Sequence, residues 1–412
     1  MAIQQAQPKV SPRLRRRWTA VAACLAAAGG SLAVGDADWR QWRGPHRDGF
    51  VAGPAWPDGL DQDRLEKLWR VDLGPSYSGP VVAGDLVIVT ETRDAKTEHV
   101  QAFDRATGSS RWHVQWDGAM RVPFFAATNG SWIRATPCVD DGRVYVAGMR
   151  DLLVCLDAET GRECWRVDFM ESVKSPLPAF GFVSSPLVIG DHVYVQAGGG
   201  FAKLDKATGA IVWRTLDDGG GMAGSAFSSP YPATIHGVNQ ILVQGREQLA
   251  GVDPASGTVL WKTAVEAFRG MNIVTPTVHD GQVFTTSYGG GSYLFAVDPS
   301  NAEAPVTQRW RNKIQGYMST PIVIDGHAYV HLRNQRFACL DLATGAEAWI
   351  TKPFGRYWSL VAQGSRILAL DETGDLRLIQ AAPASFTLVG AARVAAEESW
   401  AHLAVELSLI HS

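Results

Sequence analysis

A nine-residue phrase recurs along the chain: Asp, two residues, Thr-Gly or Ser-Gly, three residues, Trp. It runs from Asp104 through Gly108 to Trp112, and from Asp157 through Gly161 to Trp165. It returns from Asp205 through Gly209 to Trp213, from Asp253 through Gly257 to Trp261, and from Asp341 through Gly345 to Trp349. A worn copy with an insertion runs from Asp298 to Trp310. The Trp-to-Trp steps are 53, 48, 48, 49 and 39 residues. Such a period marks an architecture built by copying one supersecondary unit. Catalytic groups are not repeated in every unit, so Asp, Gly and Trp are assigned to turn and packing work.

Each phrase follows strand-like runs. In the third copy, Ser185-Pro186-Leu-Val-Ile-Gly-Asp leads into His192-Val-Tyr-Val-Gln, a glycine run, and Phe201-Ala-Lys-Leu-Asp205. β-Branched and aromatic residues bounded by Gly, Asp and Pro read as strands joined by tight turns. The Asp and Thr side chains can bond turn backbone groups, and the Gly can supply positive φ. The Trp then covers apolar area against a neighbouring unit. Four strands per unit, repeated radially, predict an all-β β-propeller of four-stranded antiparallel blades.

Proline after a small residue marks most unit starts: Pro80, Pro137, Pro186, Pro230, Pro276 and Pro321. A seventh start, Tyr357-Trp-Ser-Leu, lacks the proline. An orphan final strand, Lys67-Leu-Trp69-Arg-Val-Asp-Leu, precedes the first unit, and an orphan start, Ser399-Trp400-Ala-His402-Leu, sits near the C-terminus. Pairing the two predicts eight blades closed by an N/C-terminal clasp, which removes exposed sheet edges. Only nine residues follow Leu403, so the last blade is expected to be incomplete, with seven blades as the alternative count.

The N-terminus differs from the rest. Arg13, Arg15, Arg16 and Arg17 precede an Ala-rich run, which reads as a secretory signal peptide over residues 1–35. Val21-Ala22-Ala23-Cys24 resembles a lipobox, leaving a lipid anchor at Cys24 as the alternative to simple secretion. The expected organisation is residues 1–35 as signal, 36–63 as an extension, and 64–412 as propeller. The first 35 residues hold five of the 38 basic side chains and no acid. Without them 33 basic groups face 41 acidic ones, a formal charge of −8. That argues against nonspecific nucleic-acid binding. No other segment is long and apolar enough to span a membrane. Of the remaining cysteines Cys138, Cys155, Cys164 and Cys339, the middle two flank a turn. A disulfide between them is conceivable in an oxidising compartment, with buried free thiols preferred. None of their spacings is a zinc or haem signature.

The repeat phrase with its Trp resembles the pyrroloquinoline-quinone-type propeller repeat over roughly residues 64–403. That family includes quinoprotein alcohol dehydrogenases and the propeller lipoprotein of the outer-membrane β-barrel assembly machinery. The leader Asp38-Trp39-Arg-Gln-Trp42-Arg43-Gly44-Pro45-His-Arg47-Asp48-Gly49 also resembles the opening of secreted bacterial proteins with these repeats. It is expected to pin the N-terminal segment to the propeller. The dehydrogenases hold their quinone between a tryptophan and a disulfide of adjacent cysteines, beside calcium, which acts as a Lewis acid. This sequence has no adjacent Cys pair and no Cys-x-x-Cys-His. The resemblance therefore implies a periplasmic or secreted, monomeric, non-catalytic scaffold without cofactor, whose partner is an envelope protein or a small-molecule ligand. The alternatives are a quinoprotein oxidoreductase with pyrroloquinoline quinone and calcium, or a small-molecule binder using the central funnel. Fold alone does not choose among them.

The loops before each first strand should gather on one face. Two are long: Asp117 to Ala135, with Arg121, Phe124, Phe125, Trp132 and Arg134, and Met170 to Phe182, with Phe180. Further inner-rim candidates are Asn272, Tyr317, Arg356, Tyr357, Trp358, Trp400 and His402. Aromatics with Arg on a concave face suit ligand or partner recognition. For any single one, packing between blades is the competing reading. His402 with Arg134 or Arg356 could hold an anion. The runs Gly198–Gly200, Gly219–Gly221 and Gly289–Gly291 lack the Lys-Ser/Thr of a phosphate loop and read as turns.

Overall fold

The strand-like runs form seven four-stranded antiparallel meanders among the described residues. The computed structural model describes residues 38–61, 65–224, 226–396, 398–406 and 409–411. The expected signal peptide and Cys24 lie outside the described residues. Blade 1 is built from Val81–Ala83, Leu86–Arg93, Thr97–Asp104 and Ser110–Asp117. Blades 2 to 7 occupy 138–168, 187–215, 231–264, 277–312, 322–350 and 358–393. First strands lie innermost, with Val81–Ala83 beside Cys138–Asp140 and Ile322–Ile324 beside Trp358–Gln363. The fold is thus the expected propeller, with complete blades numbering seven, the alternative count.

The eighth position is filled differently from the expected clasp. Ala404–Glu406 pairs with Leu409–His411 as a hairpin, and its first strand lies beside Val81–Ala83. Residues 67–73 form no strand, so the two orphans do not share a ladder. The N-terminal extension fills the gap with side chains instead. Val51, Leu60, Leu65 and Trp69 join one apolar cluster with Val405 of the hairpin and Leu376 and Leu378 of blade 7. Cys155 and Cys164 are free thiols, and the expectation of burial fails for Cys164, which is exposed. The reason is a bulge: Cys155 faces Trp165, Leu156 faces Glu163, and Cys164 is the unpaired extra residue.

The small residue before each blade-starting proline closes an inner girdle. Proline has no N–H to donate, and the preceding hydroxyl becomes the acceptor for the neighbouring blade. Gly79 N donates to Thr136 Oγ1 at 3.1 Å, Thr136 N to Ser185 Oγ at 3.0 Å, and Ser185 N to Ser229 Oγ at 3.0 Å. Ser229 N donates to Thr275 Oγ1 at 3.1 Å, and Thr275 N to Thr320 Oγ1 at 3.3 Å. Around blade 7 the pattern changes to Trp358 N on Ser319 Oγ and Leu403 N on Ser359 Oγ. The last of these ties the C-terminal segment into the ring.

The leader forms a strap across the axis. Val82 N and Val139 N donate to Trp39 O and Arg40 O at 2.9 and 2.7 Å, joining blades 1 and 2. Residues Gly49 and Val51 bond Ala362 of blade 7 at 2.8 Å each. Arg43 and Arg47 are buried beneath the girdle. Arg43 donates to Thr320 O, Pro321 O and Leu360 O, while Arg47 donates to Ser185 O and Pro186 O. Trp42 lies between the two guanidiniums, 5.6 and 5.5 Å from its ring. Burial pushes both guanidinium pKa values down to about 10. The leader therefore pins the chain, as expected, and does so by crossing the channel.

The repeat phrase works at the outer radius. Asp104 Oδ1 accepts from Ala106 N, Thr107 N and Thr107 Oγ1, and Gly108 turns the chain at φ +70°. The glycine lies against the Trp of the preceding unit: Gly161 on Trp112, Gly209 on Trp165, Gly257 on Trp213 and Gly345 on Trp310. Gly108 lies on Trp69 in the same way, so Trp69 supplies the outer contact of the eighth position. Each indole also donates across the blade boundary, as from Trp112 Nε1 to Ala158 O at 2.8 Å. Trp261 departs from this, bonding Gln240 Oε1 within its own blade at 2.6 Å, because the next unit carries the worn copy without the glycine.

A Cβ at Gly161 would sit 2.7 Å from the Trp112 ring, whereas one at Gly142, at a similar φ of +68°, meets nothing within 4 Å. Gly142→Ala therefore reads backbone strain alone, of about 1 kcal/mol. Gly161→Ala should cost roughly 2 kcal/mol more, since it also forces the Trp from its seat. Equal denaturation midpoints for the two variants would show that the Trp–Gly contact does not hold the blades.

Candidate functional site

The loops between the Trp strand and the next Ser/Thr-Pro gather on one face, where they surround a cavity of about 460 Å³. This is the size of a small-molecule site. The strap and the C-terminal segment make its floor: Trp42 and His402 meet edge to face with ring centroids 5.7 Å apart. The channel is therefore a cup closed at the level of the girdle, whose Ser185, Ser229, Thr275 and Thr320 also line it.

The wall is an almost unbroken ring of aromatics. One arc steps from Tyr77 to Trp400, Tyr357, Tyr317, Tyr288 and Phe268, with centroid spacings of 5.2, 3.8, 6.1, 5.5 and 5.1 Å. A second joins Phe125, Phe180 and Phe227 at 6.2 and 5.4 Å. Arg269 bridges the arcs, its guanidinium 5.9 Å from the Phe125 ring and 5.2 Å from Phe268. Arg246 rests on Phe180 and Phe227 at 5.4 and 5.1 Å, and Arg134 on Tyr77 at 5.1 Å. Cations over aromatic faces are held in place while keeping their charge. Phe124 projects beside the mouth and is 90% exposed; Met222 and Phe268 are about half exposed.

Among the described residues the lining contains three arginines and no carboxylate. Burial lowers the pKa of both Arg134 and Arg246 from the usual guanidinium value. It raises the phenols of Tyr77, Tyr317 and Tyr357. His402 is pushed down to about 4, by burial first and by Arg43 second. It is neutral at pH 7 and adds no charge for an anion. The girdle hydroxyls already accept backbone N–H groups. The site thus offers π-surfaces and cationic donors, the equipment of recognition.

Of the residues singled out from sequence, Phe125, Arg134, Phe180, Tyr317, Tyr357, Trp358, Trp400 and His402 line the cavity. Trp132, Asn272 and Arg356 do not. Trp132 packs over Gly130 in its own loop. Asn272 is fully buried and donates to Arg246 O and Val265 O, which fixes the backbone under Arg246. Arg356 is paired with Glu398 at 2.7 Å and Glu372 at 3.4 Å, so its charge is already spent. Sequence reading missed Arg246, Arg269, Phe227, Tyr288 and Trp42. The first four occupy loops on the same face as the long loops, and the recurring blade phase could have found them.

His331 stacks on Trp358 at 4.8 Å and bonds Gly355 O at 3.1 Å. Burial pushes its pKa down from 6.5 to about 4. The unfolded chain therefore takes up this proton first as pH falls, and stability is lost between pH 6.5 and 4. The loss amounts to about 3 kcal/mol. His331→Phe should flatten this acid limb in denaturation profiles; an unchanged slope would mean His331 titrates normally in the fold.

Residues 96–351, more than half of the chain, match the family model described as outer membrane protein assembly factor BamB. The assembly factor BamB of Shewanella oneidensis is 22% identical over 291 residues, covering 69% of this chain and 66% of that protein. This chain spans just under two thirds of the length of the first curated relatives it matches. The crystal structure of BamB from Moraxella catarrhalis superposes with a TM-score of 0.56 at 18% identity, covering 84% of this chain and 89% of that one. Quinohemoprotein alcohol dehydrogenase from Comamonas testosteroni gives 0.61 at 14% identity, covering 92% and 76%. At these identities the two structures speak for the fold alone. By the family match, the chain belongs to the outer membrane protein assembly factor BamB family.

Proposed function

We propose that this chain is a non-catalytic binding propeller of the bacterial cell envelope, acting on the export or assembly of envelope proteins through its aromatic face. The relatives named as outer membrane protein assembly factors support the setting. The observation that carries the binding reading is the ring of aromatics and arginines around the cup, flanked by the exposed Phe124 and Phe268. Clustered aromatics and arginines with exposed rims are the makings of interface hot spots. Secretion by the 1–35 segment, with or without a lipid at Cys24, belongs to the same reading.

The quinoprotein alternative fits the cup poorly. A hard divalent cation needs several oxygen ligands, commonly carboxylates. Among the described residues the lining has no Asp, Glu, Asn or Gln, and Cys138, Cys155, Cys164 and Cys339 lie outside it. A calcium-bound quinone held by a cysteine pair therefore has no matching donors there.

A photo-crosslinking residue at Phe124, expressed in the native host, should capture a defined periplasmic or outer-membrane protein. The control is the exposed Asp85, in a turn on the opposite face. Adducts identical from both positions, or absent from both, would remove the aromatic face as the binding surface.

A further inference from the structure

We propose that the cup is a specific site for a small organic anion, with oxygen acceptors placed on an apolar body. The inference rests on the binding reading above and names the chemistry of its occupant.

Fixed guanidiniums without counter-ions, set among aromatic walls, carry the argument. Arg134 Nε and Arg246 Nη1 are both buried and make no hydrogen bond, and both side chains line the cup. Leaving such a group unpaired is unfavourable, and more so when it is charged. The rest of each guanidinium is held in place: Arg134 Nη2 donates to Gly130 O, and Arg246 Nη2 to Arg269 O. Their positions are thus set, while the two unpaired nitrogens lie sealed within the cup wall.

Charge points the same way. Among the described residues no carboxylate forms an ion pair with Arg134, Arg246 or Arg269, although the chain carries 41 acids. Asp218 and Glu247 act on Arg246 only through space. Arg269 adds a third cation from a left-handed backbone, φ +52°. A non-glycine residue there is strained, and strain of this kind gathers at ligand clamps. The walls between these cations are aromatic, with Val183, Met271, Ile273 and Met318 completing them. Bare inorganic anions would leave those walls wet. An apolar body tipped by carboxylate, sulfonate or phosphate oxygens covers both features, within 460 Å³.

The test uses two fluorescent probes of nearly equal shape: 1-anilinonaphthalene-8-sulfonate and its uncharged counterpart N-phenyl-1-naphthylamine, titrated into the purified folded chain. The expected result is one saturable site, at least tenfold tighter for the sulfonate, weakening with salt. Arg246→Gln should lower sulfonate affinity about tenfold and leave the amine within twofold. Arg269→Gln, on the exposed rim, serves if the first variant does not fold, and should also lower sulfonate affinity selectively. Equal binding of both probes, or sulfonate affinity unchanged in the folded variants, overturns the proposal. If sulfonate selectivity is lacking while the Phe124 adducts persist, the anion site is overturned and the binding reading stands. Selectivity without adducts supports the anion site and overturns protein capture by this face.

Discussion

The inner girdle is the constraint on which the rest of the structure depends. Six of the seven blades begin at a small residue followed by proline, and that residue's N–H must find an acceptor near the crowded axis. The hydroxyl of the next Ser or Thr provides it, from Gly79 on Thr136 round to Thr275 on Thr320. A buried N–H left unpaired costs more than the bond contributes, so the girdle fixes blade spacing as much by penalty as by attraction. The outer Trp–Gly seats then set the blades at a second radius. Two radii of contact make the stacked blades one ring rather than a string of hairpins.

A ring of seven blades and a hairpin leaves an axial opening lined by carbonyls at the blade starts. The strap answers this with arginine. A guanidinium has five donors in a planar fork and can satisfy carbonyls that diverge in direction. Arg43 reaches blades 6 and 7, and Arg47 reaches blade 3. The cost of burying them shows in their lowered pKa values, and Trp42 recovers part of it by lying between the two. By closing the channel, the strap turns a pore into a cup with a Trp42–His402 floor.

What was legible in the sequence is what is local and repeated. The Asp-x-x-Thr-Gly turn is made by contacts within four residues, so its phrase survives in every good copy. The Ser/Thr-Pro starts and the Trp were equally plain. The eighth position was less so, because Trp69 is seated by Gly108 without a strand around it, and sequence cannot show whether a strand-like run finds a ladder. At the cup, Arg134 and Trp400 line the cavity from loops that the sequence marks, while Arg356 lies outside the lining, held by Glu398 and Glu372, which reach it only in the folded chain. Arg246 and Arg269 went unseen since their meaning depends on Phe180, Phe227 and Phe125, which come from other blades.

The same repeat that builds the ring also polarises it. The turn carboxylates Asp104, Asp157, Asp205 and Asp253 all stand at the end of the blades away from the cup, and each is held below the usual carboxylate pKa by the hydrogen bonds of its own turn. They stay ionised under any condition in which the chain is folded near neutrality. At the opposite end lie Arg134, Arg246 and Arg269, with no acid among the described residues of the lining. Turn chemistry required for folding therefore places these carboxylates at one end of the blades, while three arginines line the cup at the other. The fixed cations of the lining act on whatever enters the cup over a distance set by the ionic strength.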